Sequence, residues 1–92
     1  MQFNYLLPIG SVVLPKKEKR KLVIVGVKAT EEGDVKEYDY IGVLYPEGDM
    51  GKGSMYYLNH GDIKKVYHRG YENEERADFI RRLEDFYRDG KK

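Results

Sequence analysis

Ninety-two residues allow one compact domain with a modest core, so stability is expected to be marginal. Lys and Arg number 17 against 16 Asp and Glu, a net charge of +1 without the basic excess of typical nucleic-acid binders. The absence of cysteine excludes a disulfide framework, a thiolate metal site and a thiol nucleophile, and no apolar run approaches the roughly 20 residues of a membrane-spanning helix.

Residues 1–14 lack a basic stretch followed by a long apolar one, so they do not read as an export signal, and a cytoplasmic protein is expected. Pro8 and Gly10 break the first apolar run and leave residues 11–14 as a short first strand. The basic run of Lys16, Lys17, Lys19, Arg20 and Lys21 has no apolar anchor and reads as a solvated hairpin connection, with rim contact to an acidic partner as its functional use. Residues 21–28 are rich in β-branched side chains and form the second strand. A polar turn over 29–36 leads into a third strand, 38–45, which Pro46 stops. Gly10 and Gly26 are expected to permit bends, and Gly42 to allow close strand packing.

Residues 47–54 form a glycine-rich loop. It resembles a phosphate loop only superficially: the lysine is displaced, and a strand rather than a helix follows. Residues 55–58 make a fourth strand, 59–62 a turn and 63–68 a fifth strand. The period then changes. Asn73 caps a helix over about 73–88, with Glu74 and Glu75 in its first turn. Phe79, Ile80, Leu83, Phe86 and Tyr87 form its apolar stripe. Asp78–Arg82 and Glu84–Arg88 are the expected i,i+4 ion pairs, Gly90 the stop, and Lys91 and Lys92 a frayed end.

The expected fold is therefore α+β, a single domain over 1–92: a small five-stranded antiparallel, SH3-like barrel or curled sheet followed by one C-terminal α-helix. Strands two and three are nearly continuous apolar runs, a pattern that demands cover on both faces. The helix supplies part of that cover; a partner protein or a second copy of the chain supplies the rest.

No catalytic set emerges. His60, Asp62 and His68 carry metal-ligand chemistry, but one histidine sits in a turn and the other at a strand end, and no nucleophile or paired carboxylate stands near. The expectation is a protein that is not an enzyme and takes no cofactor or metal. Nine tyrosines are spread over nearly every element, and tyrosine serves strand packing and interfaces equally well. Tyr40, Tyr45, Met50, Tyr56 and Tyr57 are the first candidates for protein contact, and Phe79, Leu83 and Phe86 on the helix the second.

Several segments together resemble a known family: Leu7-Pro8-Ile9-Gly10-Ser11-Val12-Val13-Leu14, Ile24-Val25-Gly26, Tyr38-Asp39-Tyr40-Ile41-Gly42-Val43-Leu44-Tyr45-Pro46-Glu47-Gly48, Asn59-His60 with Asp62-Ile63, and Gly70-Tyr71. They look like the small Gram-positive family called domain of unknown function 4176, over about 7–83. That resemblance implies an accessory role at type VII secretion loci, as a chaperone or adaptor for an LXG-type toxin or its small helical targeting partner. It brings no catalytic residues. Two alternatives stay open: an immunity protein that caps a cognate toxin, and a small nucleic-acid-binding barrel that uses the basic hairpin.

Overall fold

The computed structural model describes residues 3–30 and 36–89. Five strands form one antiparallel sheet: β1 (Val12–Pro15), β2 (Leu22–Thr30), β3 (Glu37–Leu44), β4 (Tyr56–Leu58) and β5 (Ile63–His68). One α-helix, α1 (Glu74–Arg88), follows among the described residues. The order across the sheet is β4-β3-β2-β1-β5, so β4 and β5, neighbours in sequence, are its two edges.

That connection forces a curl. A flat five-stranded sheet is roughly 19 Å wide from edge to edge. Residues 59–62 must bridge it, yet His60–Asp62 wind into a 3-10 turn, leaving a reach under about 15 Å. The sheet therefore rolls toward a barrel, but its edges do not pair: it is a curled, open sheet rather than a closed barrel. The Lys16 amide donates to the Asp62 carbonyl at 2.7 Å and holds the turn against the end of β1.

The segment before β1, expected to lie outside the regular structure, is part of the core. Phe3, Leu6, Leu7 and Pro8 are buried with Val13, Leu22, Ile24, Tyr40, Leu58 and Ile80. Each such side chain removed from water contributes about 1.5–3 kcal/mol. The segment lies between sheet and helix, tied to the helix by the Phe3 amide on Glu84 at 3.1 Å and by Arg76 Nη2 on the Leu6 carbonyl at 2.7 Å. Pairing with β2 already begins here: the Gly10 amide donates to the Ile24 carbonyl and the Ser11 carbonyl accepts the Ile24 amide, each at 2.8 Å.

Other boundaries move by a residue or two. The second strand runs on to Thr30, past an irregularity between Ile24 and Gly26 that leaves Val25 without a partner in β3. At Gly42 a β-carbon would meet Leu22 Cβ at 3.2 Å and the Val23 carbonyl at 3.3 Å, the close approach expected there. Residues 31–35 of the polar turn, and Gly90, Lys91 and Lys92, lie outside the described residues.

Asn73 caps α1, its side chain accepting the Arg76 amide at 3.1 Å. The apolar stripe divides. Ile80, Leu83 and Tyr87 face the core, with Glu84 buried among them, while Phe79 and Phe86 are exposed. The ion pairs differ from those expected. Glu84 turns inward to the Phe3 amide and Arg88 pairs with Asp85 at i,i+3; Asp78 likewise pairs with Arg81.

Candidate protein-binding surface

A polar cluster joins the N-terminal segment, β2, β3 and the 3-10 turn. The Asp39 carboxylate accepts the His60 amide at 2.8 Å, the Tyr5 hydroxyl at 2.9 Å and the Lys28 ammonium at 3.2 Å. Partial burial opposes its charge, but these three donors outweigh that and hold its pKa below the ordinary carboxylate value. Burial, and then the bond to Asp39, push the Tyr5 hydroxyl above its usual value. Lys28, with a positive φ of 50°, also reaches Glu37 at 3.7 Å and lies 4.9 Å from the Phe3 ring centroid. Tyr87 donates to Glu37. Tyr40 accepts the Leu7 amide at 3.0 Å and stands 2.8 Å from His60 Nδ1.

Every donor here meets an acceptor, and among the described residues no buried side-chain nitrogen or oxygen lacks a partner. The chemistry of this arrangement is fastening. Sequence reasoning did not assemble it, because its members are spread along the chain from Tyr5 to Tyr87. Among the described residues no three His, Cys, Asp or Glu side chains group as metal ligands.

The candidate contact residues scatter. Tyr40 is fully buried in the core, where it presents nothing to a partner. Tyr45 is exposed beside the Arg20–Glu47 ion pair, and Met50 is the most exposed of the eight at 68%. The loop carrying Met50 is knitted by Asp49, which accepts the Gly51 amide and the Ser54 hydroxyl, each at 2.9 Å. Tyr56 and Tyr57 are half-buried and line a cleft of 310 Å³ with Leu22, Leu58, Lys16 and Lys17. On the helix, Phe79 and Phe86 are exposed and Leu83 is half-buried against the core. Only Tyr56 and Tyr57 therefore share one site.

The larger feature is the face of the sheet turned away from the helix. Register sets Val12 opposite Val23 and Val23 opposite Val43, one apolar row across three strands. Directly opposed residues share a face, and neighbours along a strand alternate. Val13, Leu22 and Ile24 point into the core, so this row lies on the other face, where Val12 and Val23 are half-buried and Val43 is itself buried. Ile41 and Tyr57 form a second row, and Val25 beside them is 42% exposed. At the β5 edge the face ends in Lys65, opposite Leu14, and in Tyr67. Lys21 and Lys65 each lie 4.7 Å from the Tyr67 ring centroid. Tyr67 was not singled out in the sequence; the Lys-Val-Tyr alternation of an edge strand was the only signal for it.

Comparison with protein families finds one match. The model described as "Domain of unknown function (DUF4176)" matches residues 6–79, most of the chain. Neither the curated proteins nor the solved structures give a match.

Proposed function

The chain belongs to the DUF4176 family of domains of unknown function, and from that premise we propose that it is a non-catalytic protein-binding accessory of type VII secretion. It acts in the cytoplasm as a chaperone or adaptor for an LXG-type toxin or its small helical targeting partner. The secretion context is what the family resemblance implies. The observation that supports protein binding is the partly open apolar face formed by Val12, Val23, Ile41 and Tyr57, with Val25 exposed beside them. An apolar sheet face with no helix over it gains from burial against another protein.

The experiment is co-purification from the native cell, with this protein tagged and the neighbouring toxin intact. Recovery of the toxin's N-terminal export domain, with its toxic domain dispensable, supports the reading. Val25→Glu, which charges the outward face without touching the core, is expected to abolish that recovery. Recovery that requires the C-terminal toxic domain would turn the reading into immunity. Nucleic acid in the eluate, with neither toxin domain, would favour the basic hairpin as the working part.

A further inference from the structure

The sheet has a free edge along β5. Among the described residues this strand pairs only with β1, on one side, and five of its six residues are exposed. Such an edge offers unpaired amides and carbonyls that another strand can extend. Its surroundings are basic. Lys64 and Lys65 stand on the strand, Lys21 lies against Tyr67 beside it, and the β1–β2 connection adds Lys16, Lys17 and Lys19. None of these six lysines makes an ion pair among the described residues. The acids in the same stretches are Glu18 and Asp62, and Asp62 already accepts the Asn59 amide at 2.9 Å. A chain balanced in total charge thus carries a local positive excess where its backbone is open. Val66 and Tyr67 on the same strand are 40% and 46% exposed.

We propose that this edge takes an acidic, extended segment of a partner protein, which adds to β5 as a sixth strand. The proposal rests on the protein-binding reading above and names the partner's chemistry. Main-chain hydrogen bonds along β5 supply affinity, while carboxylates meeting Lys64, Lys65 and Lys21 supply register and speed of encounter. Charge complementarity selects the occupant. A second copy aligned edge to edge would bring a second set of the same lysines alongside Lys64 and Lys65, and like charges close together across a strand pair are destabilising. The same lysines that refuse self-pairing admit a strand of opposite sign. The six residues of β5 accommodate a segment of similar length, roughly 20 Å extended.

The test is fluorescence anisotropy with a labelled peptide of alternating glutamate and valine, followed by amide exchange on the complex. Binding at low salt that weakens as salt rises is expected. Lys64→Glu with Lys65→Glu is expected to weaken it at least about tenfold, the equivalent of 1.4 kcal/mol. The β5 amides should gain protection. Both lysines are exposed, so the amide spectrum of the double variant should show an intact fold. No binding at low salt overturns the proposal, as does equal binding by the double variant, or protection confined to α1 or to β3. Preference for a deoxythymidine oligonucleotide over the peptide overturns it too. The two readings fail separately. Export-domain recovery that survives the double variant sinks the edge and spares the accessory role; no recovery with the unaltered chain sinks the accessory role, whatever the peptide does.

Discussion

Tyr40 Oη lies 2.8 Å from His60 Nδ1, which joins the middle of β3 to the 3-10 turn that links the sheet's two edges. The same oxygen accepts the Leu7 amide at 3.0 Å, so one buried hydroxyl serves β3, the turn and the N-terminal segment.

Tyr40→Phe keeps the ring and strands the Leu7 amide in the core. A buried donor left unpaired costs about 1–3 kcal/mol. The urea midpoint should fall accordingly, whereas Tyr57→Phe, on the outward face, should stay within about 0.5 kcal/mol. Equal midpoints for the two variants would remove Tyr40 from this role.

Gly70 follows β5 and donates its amide to Ser11 Oγ at 3.0 Å. A β-carbon there would collide with the Ile9 carbonyl oxygen and lie 2.8 Å from its carbon. Both are backbone atoms, so relief requires the chain to move. Gly70→Ala should destabilise by about 1–3 kcal/mol or more. Gly61→Ala, where a β-carbon meets nothing within 4 Å, is the control and should be near neutral. A thermal melt of each variant decides it.

Ile80 and Phe79 are adjacent on α1, but only Ile80 is in the core, at 7% exposure against 47%. Ile80→Ala should cost about 2–5 kcal/mol, and Phe79→Ala less than about 0.5 kcal/mol. Chemical denaturation that ranks them the other way would mean the helix docks by its other face.

The pH dependence has two arms. Asp39 has a folded pKa below its unfolded value, so the unfolded chain takes up protons first on acidification. Its contribution is complete above the ordinary value of about 3.9 and is lost as pH falls through the folded pKa. Tyr5, Tyr40 and Tyr87 are shifted the other way, chiefly by burial, so their contribution is complete below about pH 10 and fades as pH rises beyond it. Unfolding free energy measured against pH should fall at both ends, and Asp39→Asn should flatten the acid end. An unchanged acid slope in that variant would separate Asp39 from acid stability.

The amino-acid sequence by itself determined the five strands, the capped helix and their order, because these depend on interactions between near neighbours. β-Branched runs, Pro46 and the Asn73 cap act within a few residues of where they stand. Two continuous apolar strands also announced that both faces of the sheet want cover. The tertiary structure decided which residues supply it. Tyr40 is buried and Tyr45 exposed, although both belong to one tyrosine-rich stretch, because the first meets Leu7 and His60 across the curl and the second follows the end of β3. Phe3 and Glu84, 81 positions apart, pair only once the helix folds back over the N-terminal segment. The basic hairpin was visible in the sequence, but its meeting with Lys64, Lys65 and Tyr67 was not. Burial and charge density are properties of the closed chain, and they depend on contacts that local pattern does not encode.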